Sequence, residues 1–294
     1  MRSAAARCYY YLSAEAPINK TFIAWRGPLM NVSIEILTEK CNRCGRCVYA
    51  CPMHLFSREK KDYPTLHDQA EEWCIRCGHC LAVCPESAIR LDGVTGEERQ
   101  AALPFGPTIY EQFSMLVQSR RSIRSYHNTP IDHDVLNHLF ELVTWAPTAR
   151  NLQPVEWIVV NNPAVVQELA GMVVEWLDKT EKFPAIVEAY RDGQDMVLRG
   201  APCLAIAHAH NDSWCPIIDC TIAVEILDLA ATAMGLGACW AGFFMGAALN
   251  HPAIPQRLAL PENHTIHSAL MLGYTDELYL HVPPRNPAKV RLIE

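Results

Sequence analysis

The chain has 294 residues, half of them hydrophobic, enough for one large domain or for a medium domain with a small one beside it. That apolar share excludes a disordered protein. A formal net charge of −7 without a dense Lys/Arg run argues against nucleic acid as partner, because a phosphate backbone is met by a basic patch.

Residues 1–29 contain Arg2 and Arg7 but no continuous apolar stretch of signal-peptide length, so no secretory signal is read here. The compact protein is expected to start near Met30, with 1–29 an N-terminal arm, disordered or non-native. Val32–Leu37 alternates as a strand does. Of the thirteen cysteines, eight fall in two tight groups, while Cys8, Cys203, Cys215, Cys220 and Cys239 are scattered. Tight C-x2-C groups favour metal binding over a disulfide framework, and a reducing cytoplasm fits both kinds of cysteine.

The first group runs Cys41-Asn-Arg-Cys44-Gly-Arg-Cys47-Val-Tyr-Ala-Cys51-Pro52, the second Cys74-Ile-Arg-Cys77-Gly-His-Cys80-Leu-Ala-Val-Cys84-Pro85. They agree at seven of twelve positions, which makes them an internal repeat. Thiolates are soft ligands, and Gly45 and Gly78 permit the tight backbone that closely spaced ligands need. Structural zinc would use four thiolates as well, but gives no reason for the third spacing or the trailing prolines to recur. The C-x2-C-x2-C-x3-C-P run is the one bacterial two-cluster ferredoxins use, with the fourth cysteine ligating the other cluster. Two [4Fe–4S] clusters are therefore expected, one on Cys41, Cys44, Cys47 and Cys84, the other on Cys74, Cys77, Cys80 and Cys51. Residues 30–92 are read as the small domain that folds around them.

Residues 93–107 are polar, then rich in Gly and Pro, and read as a linker. From 108 the pattern becomes helical and strand-like by turns. Ile109, Phe113, Leu116 and Val117 repeat at helical spacing. Asp132 stands as an N-cap before Val135, Leu136, Leu139, Leu142 and Val143, and Pro147 ends that region. Strands are expected at 156–160, 204–209 and 266–274, helices at 163–179 and 219–234, with Gly235 and Gly237 as the stop. Without strict alternation of units, the class is α+β. Leu229–Leu249 carries no charge and is long enough to span a bilayer, but four glycines break it and no Lys/Arg flank orients it, so a buried helix and turn are expected. His208 and His210 share a strand face and are read as packed histidines rather than metal ligands. Trp157 and Trp176 are read as core. No nucleophile–base pair, Walker loop or G-x-G-x-x-G turn is present.

Ser119-Arg-Arg-Ser-Ile-Arg-Ser-Tyr126 interleaves three arginines with serines, a combination able to cradle a phosphate. Three later segments add weight: Ala146-Pro-Thr-Ala-Arg-Asn-Leu-Gln-Pro154, Gly235-Leu-Gly-Ala-Cys-Trp-Ala-Gly242 and Pro283-Pro-Arg285-Asn-Pro287. In this order and at these separations they resemble the nitroreductase family of FMN-dependent flavoproteins, over roughly residues 108–294. With the cysteine module, the whole chain resembles a ferredoxin–nitroreductase fusion. The resemblance implies a sheet flanked by helices, FMN at a homodimer interface, and a role for each matching residue. Arg120, Arg121, Ser122 and Arg124 match the first FMN motif, with Arg120 and Ser122 toward the phosphate or ribityl chain and Arg124 toward the flavin N1/O2 edge. Pro147, Thr148, Ala149, Asn151 and Gln153 match the loop supplied by the other subunit. Trp240, Ala241 and Gly242 match the turn whose backbone N–H meets flavin N5, and Arg285 a C-terminal phosphate ligand. Two departures stand out: Pro283 and Pro284 leave Arg285 alone, and Ala149 replaces one hydroxyl. Phe183 and Tyr190 fall where the family places a variable substrate lid.

The function this implies is an FMN-dependent oxidoreductase that receives electrons through two [4Fe–4S] clusters and reduces a small aromatic or conjugated substrate. No dedicated catalytic side chain follows, since the cofactor carries the chemistry. Reduced ferredoxin, NADH and NADPH stand open as donors. Ene reduction, dehalogenation and flavin fragmentation are alternatives on the same fold. From another class, an electron-transfer subunit serving a protein partner would need neither the arginine motif nor the glycine turn.

Overall fold

The computed structural model describes residues 32–59, 61–102 and 105–294. The expected arm at 1–29 and the start near Met30 lie outside the described residues. Two compact units divide the chain: one holds residues through Phe105 together with Thr148–Leu152, the other Gly106–Pro147 and Gln153–Glu294.

The cysteine-bearing unit is built from short pieces: β1 (Ile34–Ile36), α1 (Arg46–Ala50), β2 (Phe56–Ser57), β3 (Thr65–Leu66), α2 (Ala70–Trp73), α3 (His79–Ala82), β4 (Ile89–Leu91) and β5 (Val94–Thr95). Strands β1, β4 and β5 form one antiparallel sheet in that order, and β2 and β3 a second. Gly45 and Gly78 precede α1 and α3 at φ 75° and 71°, a left-handed turn that a side chain resists. The stretch read as a linker begins as structure. β5 pairs with β4, and Thr95 with Glu98 forms a capping box on the 3-10 turn Gly96–Glu98, both ends satisfying backbone donors. Composition signals the glycines there but not the local pairing.

The second unit contains α4 (Pro107–Ser119), α5 (His133–Val143), β6 (Glu156–Val160), α6 (Pro163–Lys179), α7 (Pro184–Arg191), β7 (Cys203–His210), α8 (Pro216–Ala233), β8 (Gly237–Trp240), α9 (Gly242–Ala248), α10 (Ala253–Arg257) and β9 (His264–Gly273). Its sheet runs β6-β7-β9-β8, antiparallel throughout. Each face carries a core. Leu204, Ile206 and Met271 pack with Leu169, Val173 and Phe244 of α6 and α9; Cys203, Ala205 and Leu272 pack with Leu139 of α5 and Leu227 of α8. Burying each Leu or Phe stabilises by about 1.5–3 kcal/mol. α8 is apolar almost all round and lies against β7, β9 and α5, which is what such a helix requires. Among the described residues no helix is long and apolar enough to cross a membrane.

Local chemistry explains the boundaries. Asn162 caps α6, its Oδ1 accepting from Ala164 N at 3.0 Å, with Pro163 in the first turn. Gly235, at φ 79°, turns the chain out of α8. Gly237 does not act as a helix stop: it opens β8, where a Cβ would sit 2.7 Å from Ile123 Cγ2. Asp132 holds the N-cap position of α5 without capping it, because its Oδ2 accepts instead from the Tyr274 hydroxyl at 3.0 Å. Leu142, expected on the inner face, is half exposed. α4 forms where helical spacing places it but buries none of its residues; Ile109, Tyr110, Phe113, Met115 and Val117 stay exposed. The chain after Tyr274 has no regular structure and exposes Leu278, Tyr279, Leu280, Val282, Leu292 and Ile293.

Candidate active site and cysteine centres

In the cysteine-bearing unit, Cys47, Cys51, Cys74 and Cys80 are buried and Cys41, Cys77 and Cys84 half-buried, while Cys44 is exposed. All eight are free thiols. Burial pushes the Cys47 thiol up, with Cys84 and Cys41 adding to it. Burial also raises Cys74, helped by Cys77 and Cys51, and lifts Cys80 to about 12, helped by Cys74, Cys77 and Cys51. The thiols thus gather across the two motifs: Cys84 beside Cys47 and Cys41, Cys51 beside Cys74, Cys77 and Cys80. A small cavity is lined by Cys51, Cys74, Cys77 and Cys80 together. Backbone N–H groups aim at the sulfurs, Leu55 to Cys51 Sγ at 3.4 Å, Arg76 to Cys74 Sγ at 3.4 Å and Ala88 to Cys84 Sγ at 3.2 Å. Hydrogen bonds to the sulfurs are among the features that set the potential of a bound cluster. Soft donors gathered in this way, four around Cys80 and three around Cys47 with Cys44 exposed on the same motif, suit iron–sulfur clusters.

Thr148–Leu152 belongs to this unit. Asn151 Nδ2 donates to the carbonyls of Ile75 and Arg76, both at 3.1 Å, and so holds the Cys74–Cys77 turn. Arg150, Asn151 and Gln153 all have positive φ, near 50°, a strained run for non-glycine residues. The sequence marks this loop by its prolines but gives no hint of the backbone it holds.

In the other unit, the arginine segment runs alongside β8. Ser122 forms a parallel bridge with Ala238, and Ile123 N donates to Ala238 O at 2.9 Å. Arg120, expected to face a phosphate, has Nη1 3.2 Å from Asp228 Oδ2. Burial raises the Asp228 carboxyl to about 6, opposed by the Arg120 charge. Asp228 Oδ1 and Arg121 Nε are buried without a hydrogen-bond partner, two polar atoms left facing inward. Arg121 Nη1 donates to Arg120 O and Arg124 Nη1 to Ser122 O, so two of the three guanidiniums are held by the segment's own backbone and the third by Asp228.

Arg124, Cys239, Trp240 and Gly242 line a cavity of about 420 Å³ with Trp176, Phe183, Met196, Val197, Arg199, Phe243, Gly246 and Met271. The Trp240 indole N–H donates to Ser268 Oγ at 3.0 Å, which fixes that ring. Ala241 N–H is already spent on Ala269 O at 2.9 Å, so the donor at this turn falls to Gly242, first residue of α9, whose N–H has no intrahelical acceptor. Trp176, read as core, lines the cavity: Gly246 lets its ring lie close to α9, where a Cβ would meet it at 3.3 Å. Phe183 meets Phe243 edge-on, with centroids 5.4 Å apart. Tyr190 does not line the cavity.

Arg199 was not read from the sequence. It sits at φ 60° before Gly200 at φ 64°, in a turn where Asp195 Oδ1 accepts from Val197 N and Leu198 N and Oδ2 from Gly200 N. Asp195, four residues before Arg199, and Gly200 directly after it are the signals the sequence offers for such a turn. Of the thirteen expected flavin residues, Arg124, Trp240 and Gly242 share the cavity, with Arg120, Arg121, Ser122 and Ala241 on the adjoining segments. Pro147, Thr148, Ala149, Asn151, Gln153 and Arg285 are not among its lining residues, and Arg285 lies exposed on the C-terminal extension.

Residues 117–274 match the model of the nitroreductase family. The chain belongs to the nitroreductase family. Residues 40–89 of the same chain match the model of the 4Fe-4S dicluster domain. The protein is thus a ferredoxin–nitroreductase fusion and an enzyme, a flavin-dependent oxidoreductase of that family. A relative from Archaeoglobus fulgidus, with the provisional name NADH dehydrogenase/NAD(P)H nitroreductase, is 27% identical over 56% of this chain and 86% of its own. A 4-nitrobenzoate reductase of Nocardioides is 24% identical over 56% of this chain and 81% of its own. Among solved structures, a nitroreductase of Bacteroides fragilis with bound FMN superposes with a TM-score of 0.53 and 25% identity, covering 62% of this chain and 98% of that one. The α+β class read from the sequence is the fold of this family.

Proposed function

We propose that this nitroreductase-family chain is an FMN-dependent oxidoreductase that takes in electrons through two [4Fe–4S] clusters and reduces a small aromatic or conjugated substrate. The observation that carries this reading is one chain holding both a cavity between the arginine segment and the Trp240–Gly242 turn and eight free cysteines in two motifs that gather across one another, Cys51 with Cys74, Cys77 and Cys80, and Cys84 with Cys41 and Cys47. The FMN-bound relative at a TM-score of 0.53 supports the flavin.

The residues fit the cofactors. Arg120, Arg121, Ser122 and Arg124 supply charge and hydroxyl, the inward-facing Arg121 Nε offers a donor without a partner, and Gly242 offers a free N–H. Arg285 and the loop residues Pro147, Thr148, Ala149, Asn151 and Gln153 would reach a flavin from a second copy of the chain. The exposed apolar residues of α4 and of the C-terminal extension, more than a monomer ordinarily leaves to water, support a homodimer. Cys41, Cys44, Cys47 and Cys84 would hold one cluster, and Cys74, Cys77, Cys80 and Cys51 the other. When bound, the flavin supplies two-electron reduction and the clusters one-electron transfer. The chain's own residues then do three things. Trp176, Phe183 and Phe243 offer apolar faces that a flat ring can stack on and that exclude water. Arg124 and Arg199 place positive charge at the cavity wall, where negative charge accumulates during reduction. Trp240, pinned to Ser268, keeps the turn rigid.

Anaerobic purification with iron, sulfide and FMN counted per chain tests the reading, followed by reduction with NADH, NADPH or reduced ferredoxin while the flavin band is watched. Eight irons and one FMN per chain are expected, with bleaching that a nitroaromatic reverses. Cluster-loaded protein that contains no flavin and takes up none would sink it in favour of an electron-transfer subunit.

A further inference from the structure

Away from the cavity lining and the cysteines, three neighbouring strands bring histidines together. Glu156 of β6 is paired in register with His208 of β7, and His210 of β7 with His264 of β9. Strand alternation therefore sends Glu156, His208, His210 and His264 to one face of the sheet. A β-bulge shifts the β7–β9 register at Ala207/His208, so that Ser268 pairs Ala207 while Ile266 pairs His208, and His267 is the extra residue between them. Bulges re-aim side chains and recur beside functional sites. The His267 Nε2 is buried without a hydrogen-bond partner.

His208 and His264 meet Nδ1 to Nδ1 at 2.9 Å, and His264 Nε2 lies 3.9 Å from Glu156 Oε1. One ligand atom from each of Glu156, His208 and His264 lies within 4.8 Å of the other two. The His210 ring is close behind, 5.5 Å from that of His264. Of Glu156, His208 and His264, His208 is buried and only Glu156 is exposed, so the trio opens to water on its carboxylate side.

We propose that Glu156, His208 and His264 form a binding site for a borderline divalent transition-metal cation of the zinc class. Two imidazoles and one carboxylate are the donor set such cations take, and open positions would remain for water. A proton shared between the two histidines explains their contact alone. It does not explain a carboxylate from a third strand placed beside the same pair, 3.9 Å from His264 Nε2. A cation there neutralises Glu156 and ties β6, β7 and β9 together. It replaces the His208–His264 hydrogen bond by two metal–nitrogen bonds, and each neutral ring then carries its single proton on the nitrogen that does not bind, the ring that donates the present hydrogen bond shifting its proton from Nδ1 to Nε2 where it binds through Nδ1.

The test uses full-length protein with its iron in place, equilibrated with Zn²⁺ and freed of excess. Zinc per chain is counted and its environment read by X-ray absorption, where nitrogen or oxygen neighbours at about 2.0–2.1 Å separate this site from sulfur at about 2.3 Å. One zinc with only nitrogen and oxygen neighbours is expected, lost in His264→Gln and bound at least tenfold more weakly in Glu156→Gln. Zn²⁺ should also raise the melting temperature of the parent but not of Glu156→Gln. Parent protein that holds zinc on sulfur alone, or not at all, overturns the proposal. So does nitrogen-bound zinc that survives in both variants. Should His264→Gln not fold, the exposed Glu156→Gln decides. Iron and flavin contents are independent of these outcomes, so this site and the redox reading stand or fall separately.

Discussion

Arg120 and Asp228, 108 residues apart in the chain, meet with Nη1 3.2 Å from Oδ2, both side chains largely buried. Burial outweighs the attraction, and the carboxyl is raised to about 6 from 3.8. A carboxyl raised on folding binds its proton more readily in the folded state, so stability is gained as pH falls through 6 toward 4 and is lower at neutral pH. Urea unfolding of the parent and Asp228→Asn at several pH values should show this. Between pH 7 and pH 4 the parent gains on the order of 2–3 kcal/mol relative to the variant. A pH-independent difference would refute the assignment.

Gly237 leaves no room for a side chain beside Ile123. Gly237→Ala should cost about 1–3 kcal/mol through overpacking. Because Ile123 adjoins the Ser122–Ala238 bridge, flavin affinity should fall along with thermal stability. A variant with parental melting and parental flavin content would show that the segment yields freely.

Asn151 holds two carbonyls of the Cys74–Cys77 turn. Asn151→Ala removes both bonds and should cost about 1–3 kcal/mol of local stability. Faster hydrogen exchange across residues 74–80 and faster iron loss to a chelator are expected. Parental rates in both measurements would count against the role.

The gathering of thiols across the two motifs predicts which substitutions share a phenotype. Cys51→Ser and Cys77→Ser should disturb the same one of two electron paramagnetic resonance signals, and Cys84→Ser the other. If Cys84→Ser and Cys77→Ser disturb the same signal, each motif serves its own cluster.

Repetition and periodicity made much of the molecule legible. The cysteine motifs announce themselves by spacing, and β6 and α6 fall at the residues that alternation and capping indicate. What escaped depends on distant partners. Asp132 has the local sequence of a cap, but Tyr274, 142 residues on, takes its carboxylate. Trp176 packs against the core as its apolar surroundings indicate, but its second role in the cavity wall depends on the approach that Gly246 of α9 permits. Arg199 escaped because its position rests on a left-handed turn that Asp195 pins. His208 and His210 were legible as a shared face, but the bulge that sets His267 beside them exists only once β7 and β9 pair.

The cysteine-bearing unit is discontinuous, since residues 148–152 complete it from beyond α5. On a ribosome, all eight thiols emerge before Asn151 does, so the two bonds it gives the Cys74–Cys77 turn are added only after the cysteines are made. A fragment cut at the apparent end of its cysteine module would lack the piece that secures the Cys74–Cys77 turn.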